Sequence, residues 1–222
     1  MDVRTLHRFG LGSLFAIALV IPVHASARSD MKAGYDALRR QDYDKAIALF
    51  TSAIEMGDLT RTDLALVYHY RGVEYLKTER YDEAIADFDR AIMLEPVKLP
   101  TAYSDRGIAY RKKGDYAKAI ADYSEAIRLW PDWHDWYLNR GLAYAANRQY
   151  TEAIDDFGRA LYYRPDLVTA YIARGDAYLA LSNKPEALAD YRRALQHNGS
   201  IFKQYPGLAA KMASLGEPIR VD

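Results

Sequence analysis

The chain has 222 residues, 50% apolar and 27% charged, the balance of a folded protein with material for one sizeable core or an extended array. Lys and Arg number 30, as do Asp and Glu, which excludes the strongly basic surface used in counterion-release binding of nucleic acid. There is no cysteine, so neither a disulfide framework nor a lipid-modified cysteine supports the chain, and packing alone must hold it together.

The first predicted element is amino-terminal. Arg4 and Arg8 precede an uncharged, mostly apolar run from Phe9 to Val23, the build of a secretory signal peptide and too short for a comfortable membrane span. Val23 and Ala25 are the small residues that signal peptidase needs for a cut after Ala25. Pro22 and the polar stretch Ser26 to Asp30 favour release. The expectation is residues 1–25 removed and a mature chain, nearly neutral, in the periplasm or outside the cell. Retention of the segment as an anchor is the alternative.

The remainder repeats itself. Tyr68, Arg71, Gly72 and Tyr75 return as Tyr103, Arg106, Gly107 and Tyr110, then Tyr137, Arg140, Gly141 and Tyr144, then Tyr171, Arg174, Gly175 and Tyr178. The glycines are 35, 34 and 34 residues apart. Each is followed by a small, a large aromatic and a second small residue: Ala84, Phe88, Ala91; Ala119, Tyr123, Ala126; Ala153, Phe157, Ala160; Ala187, Tyr191, Ala194. Pro96, Pro131 and Pro165 close three of the units. A degenerate first unit carries Gly34, Ala46, Phe50 and Ala53, and its glycine lies 38 residues before the next, which places an insertion of about four near Thr60 to Leu64.

This pattern is that of two helices per unit. Small residues at fixed offsets let the helices approach, aromatics fill the gaps and proline stops the second helix. One unit cannot bury its apolar face alone, so neighbours must stack. After the last unit Leu208, Met212 and Leu215 recur at helical spacing before Gly216 and Pro218, predicting a capping helix and tail over 202–222.

At these residues the chain resembles the tetratricopeptide repeat, with its 34-residue period of aromatic, Gly, Ala, Phe and Pro positions. The resemblance covers units at 27–60 (degenerate), 65–98, 100–133, 134–167 and 168–201. It implies an all-α solenoid of about five helix-turn-helix units that binds a protein or peptide in its concave groove. Two departures are systematic: Tyr replaces the first Trp of the family pattern, and Arg replaces the Leu before Gly.

Those arginines have a counterpart. Arg71, Arg106, Arg140 and Arg174 are followed sixteen residues later by Asp87, Asp122, Asp156 and Asp190, whereas the first unit has Ala33 and Leu49. Both charges appear and vanish together, which predicts an ion pair between the two helices of each unit. An arginine ladder for an anionic ligand is the alternative. No catalytic or metal constellation is visible: His69, His134 and His197 share no helix face, and there is no phosphate loop or nucleophile turn. Asp132, His134 and Asp135 read as a polar turn between units. Neither enzymatic activity nor a cofactor is expected.

In the first helix of each unit, positions 2, 5, 9 and 12 form a stripe apart from those committed to the hairpin. The resemblance implies that this stripe lines the groove. It comprises Arg28, Met31, Tyr35 and Leu38; Leu66, His69, Val73 and Leu76; Thr101, Ser104, Ile108 and Arg111; Asp135, Leu138, Leu142 and Ala145; and Thr169, Ile172, Asp176 and Leu179. Some must pack against neighbouring helices; the rest suggest apolar anchors for an extended or helical segment. The Lys and Asn that some family members use to hold a terminal carboxylate are absent, with His69, Val73, Ser104 and Ile108 at the corresponding places.

All three tryptophans fall within residues 130–136. Trp136 aligns with Val67, Ala102 and Ala170, so it should pack between units. Trp130 aligns with the polar Glu95, Arg164 and Asn198, so it should be exposed, a candidate anchor for a partner. Trp133 falls between these cases. Together these features suggest an exported interaction scaffold that takes a protein or peptide partner, with no nucleic acid and no membrane span after signal cleavage. A self-associating envelope component is the second possibility, and an enzyme the last.

Overall fold

The computed structural model describes residues 26–197 and 201–217; the expected signal segment at 1–25 and the tail from Pro218 lie outside these. Ten helices form five hairpins: α1 (Ala27–Arg39) with α2 (Tyr43–Met56), α3 (Arg61–Lys77) with α4 (Tyr81–Leu94), α5 (Pro100–Lys112) with α6 (Tyr116–Leu129), α7 (His134–Ala146) with α8 (Tyr150–Tyr163), and α9 (Val168–Ala180) with α10 (Lys184–His197). Each helix packs chiefly on its hairpin partner and then on the next helix in the chain. The result is an all-α solenoid held by neighbour contacts.

The hairpins close because the glycines leave room for the aromatic rings. A Cβ on Gly34, Gly72, Gly107, Gly141 or Gly175 would stand 2.5, 2.8, 3.0, 2.7 or 2.6 Å from the ring of Phe50, Phe88, Tyr123, Phe157 or Tyr191 respectively. The paired alanines at the other two small positions are fully buried. Between the two helices the fifteenth residue of every unit adopts the left-handed conformation: Gln41 (φ 59°), Glu79 (60°), Gly114 (82°), Arg148 (62°) and Ser182 (64°).

Two elements depart from the regular hairpin. The four-residue insertion near Thr60 to Leu64 is helical: α3 has 17 residues where the other first helices have 13, and begins at Arg61. Thr60 makes this possible, its side chain accepting from the Asp63 N–H as an N-cap while four residues add about one turn. The terminal cap is also two pieces, α11 (Ile201–Gln204) and α12 (Gly207–Ser214). Pro206 interrupts them, since it lacks the N–H a continuous helix would use. Ile201, Leu208 and Met212 are buried in one cluster with Tyr171, Tyr191 and Ala194, which closes the end of the array.

Candidate functional site: the concave groove

The four arginines are structural. Arg71 Nε and Nη2 each donate to Asp87 at 2.7 Å. The same two bonds join Arg106 to Asp122 at 2.8 and 2.6 Å, Arg140 to Asp156 at 2.7 and 2.8 Å, and Arg174 to Asp190 at 2.7 and 2.8 Å. Motif tyrosines flank two of the guanidinium groups, Arg71 lying 5.6 Å from both the Tyr68 and Tyr75 rings and Arg140 5.9 Å from Tyr137 and Tyr144, while Arg106 and Arg174 each meet one, Tyr103 at 5.7 Å and Tyr171 at 5.8 Å. Burial acts to lower the Arg71 pKa, but the hydrogen bonds with Asp87 outweigh it and leave the group above its ordinary value. Burial pushes the Asp87 carboxyl up, yet two short bonds from a permanently charged guanidinium keep the pair ionised at neutral pH.

A third arm of three of these arginines went unread in the sequence. Arg71 Nη1 donates to Thr51 Oγ1 at 2.9 Å, Arg140 Nη1 to Ser124 Oγ at 3.0 Å, and Arg106 Nη1 to Asp89. Each acceptor belongs to the preceding unit, so these residues bind hairpin to hairpin as well as helix to helix. The donors of Arg71, Arg106 and Arg140 are committed in this way, which argues against a ligand ladder.

The predicted groove stripe divides into wall and opening. Met31, Tyr35 and Leu38 pack against Phe50, Val67 and Tyr70, with Tyr35 edge-on to Phe50 and Tyr70 at 5.5 and 4.9 Å. Leu66 is half-buried, and Val73 and Leu76 pack on Tyr75 and Phe88. His69 is buried and bonds Asp105 of α5 across the unit boundary at 2.8 Å. Arg111 lies half-buried near the buried Tyr123 hydroxyl, whose pKa burial pushes up to about 12. Leu138 packs against Phe157, and Leu179 against the carboxy-terminal core.

Two clefts stay open along the stripe. The carboxy-terminal one, about 400 Å³, has Leu142, Thr169, Ile172 and Asp176 on one side and Tyr205, Leu208 and Lys211 on the other. The terminal segment therefore supplies a wall of the groove as well as a cap. Asp176 Oδ1 fastens it, accepting from Lys211 Nζ at 2.5 Å and from the Tyr191 hydroxyl at 2.6 Å. The central cleft, about 260 Å³, lies between α5 and α7 and includes the stripe residues Thr101, Ser104, Ile108 and Asp135, with Trp133 and Trp136 beside them.

The three indoles touch one another, with centroids 5.7 Å (Trp130 to Trp133), 6.2 Å (Trp130 to Trp136) and 6.3 Å (Trp133 to Trp136) apart. Trp136 is 4% exposed, Trp130 51% and Trp133 44%. Trp130 stands beside the central cleft and Trp133 lines it. Sequence comparison between units draws attention to Trp130 and gives no signal that Trp133 turns into the groove.

The tetratricopeptide repeat family model matches residues 31–98, 71–132, 104–166 and 138–209. The chloroplastic tetratricopeptide repeat domain-containing protein PYG7 of Arabidopsis thaliana is 38% identical over 72 residues, 32% of this chain and 24% of that protein, so the chain spans about a quarter of that relative. Among solved structures, MamA superposes with a TM-score of 0.72 at 21% identity, over 81% of this chain and 95% of that one. YrrB, a TPR protein with an unusual peptide-binding site, gives 0.68 at 19% identity, over 78% and 87%. The first TPR of Spaghetti (RPAP3), bound to the HSP90 peptide SRMEEVD, gives 0.53 at 29% identity, over 55% and 95%. Repeat motif, hairpin geometry and family match coincide along the array, and the chain belongs to the tetratricopeptide repeat family.

Proposed function

We propose that the chain is an exported interaction module that receives a segment of a partner protein along its concave face and performs no chemistry of its own. The observation that carries this is the pair of open clefts on the first-helix stripe, lined by Thr101, Ser104 and Ile108 in one and Leu142, Thr169 and Ile172 in the other. An apolar carboxy-terminal cleft, and a central one that sets Ile108 and two indoles among polar groups, suit a segment held by side-chain anchors. A related repeat array has been solved with a peptide bound, which supports the same use here. Export rests on the charged start, the apolar run and the Val23-x-Ala25 site of the first 25 residues.

Thr101 and Thr169 are exposed and line one cleft each, so Thr101→Arg and Thr169→Arg should obstruct the groove without disturbing the fold. Partner recovery after crosslinking in cells should fall in both variants while the melting temperature is unchanged; undiminished recovery would refute groove binding. Cell fractionation tests export separately. A form lacking residues 1–25 should appear in the periplasmic or secreted pool, and a soluble cytoplasmic species beginning at Met1 would refute it.

A further inference from the structure

Whereas the carboxy-terminal cleft pairs its Asp176 with Lys211, the central one carries negative charge. Two carboxylates line it, Asp105 and Asp135, and neither Lys nor Arg does. Their side chains are 26% and 47% exposed. Each has a histidine on its other side, His69 Nε2 at 2.8 Å from Asp105 and His134 Nε2 at 3.3 Å from Asp135. Of the neighbouring arginines, Arg106 and Arg140 are committed to Asp122 and Asp156, and Arg164, 3.2 Å from His134 Nε2, donates to Asp166 at 3.3 Å.

The remaining walls complete the chemistry. The half-exposed Trp133 presents an indole, packed against Trp136 with centroids 6.3 Å apart, and Thr101, Ser104 and Asn139 add polar groups. A planar guanidinium stacks on an indole and meets carboxylates through a fixed fork of donors. An ammonium would satisfy the charge without the stack. An apolar side chain would strip water from two carboxylates and return nothing.

We infer that the central cleft receives an arginine side chain of the partner segment, its guanidinium stacked on Trp133 and donating to Asp105 and Asp135. This inference rests on the groove function proposed above and adds the partner's chemistry to it. It predicts a partner segment with an arginine placed between apolar residues.

All three tryptophans lie within residues 130–136, so the three indole N–H signals of a nitrogen-15 NMR spectrum report on this cluster alone. The whole chain is titrated with N-acetyl-arginine methylamide and with its lysine, norleucine and glutamate counterparts. Saturable shifts at the Trp133 and Trp136 indoles are expected with arginine, weaker ones with lysine, and none with norleucine or glutamate. Asp135→Asn and Trp133→Leu change exposed side chains and should each weaken arginine binding about three- to tenfold, with unchanged thermal unfolding. Norleucine or lysine binding as well as arginine, no saturable arginine response, or an Asp135→Asn chain that binds arginine normally would each overturn the inference. Partner recovery in the threonine variants tests the groove itself, so either claim can fail alone.

Discussion

Gly158 shows what the arginine contacts are worth, because it occupies the place of Thr51, Asp89 and Ser124 in the unit that precedes Arg174, the one motif arginine with no such side chain to reach. A Cβ there would meet Arg174 Nη1 at 3.6 Å, an ordinary contact. Gly158→Ser should therefore add both helix propensity and a hydrogen bond, stabilising the chain by about 1 kcal/mol in denaturant unfolding. In an Arg174→Gln background the gain should shrink to the propensity part; an equal gain would show that no such bond forms. The tryptophans give a second residue-scale test. Trp136→Ala removes a buried indole and should cost about 3 to 5 kcal/mol, whereas Trp130→Ala, at the surface, should stay within about 0.5 kcal/mol. Equal losses would mean that all three indoles are core. The Arg–Asp register can be read from the sequence because both charges vanish together in the first unit. The reach to the preceding unit cannot, since its acceptor changes identity from Thr to Asp to Ser.

At the scale of helices and turns, two glycines of one sequence do different work. Gly114 sits in the left-handed turn at φ 82°, with open space where a Cβ would stand, whereas a Cβ on Gly141 would lie 2.7 Å from the Phe157 ring. Gly114→Ala should cost about 1 kcal/mol, through backbone strain alone. Gly141→Ala forces a methyl against a packed ring and should cost more, up to about 3 kcal/mol. Urea unfolding of the two variants gives the order, and a reversed order would contradict the packing described. Helix boundaries are the less legible part of the fold. A four-residue insertion leaves the hydrophobic spacing on either side unchanged, so only the Thr60 cap distinguishes an added helical turn from a loop. The Leu208 and Met212 spacing marks the terminal helix, but the break at Pro206 depends on where that proline falls against the last core.

For the whole molecule, the stripe at positions 2, 5, 9 and 12 marks the proposed groove, but which of its residues stay open is decided by neighbours. Tyr35 is taken up by Tyr70, His69 by Asp105, and Asp176 by α12, and none of these contacts lies within one unit's pattern. What remains open is concentrated between α5 and α7 and between α9 and the terminal helices. The central claim is that a partner is held there and not on the outer helices. A photo-crosslinking amino acid placed singly at Thr101, Thr169, Ala86 and Ala121 tests it, since all four are exposed and the last two lie on the second helices α4 and α6. One shared partner crosslinked from Thr101 and Thr169, and not from Ala86 or Ala121, is the predicted result; capture of that partner from Ala86 and Ala121 alone would contradict it.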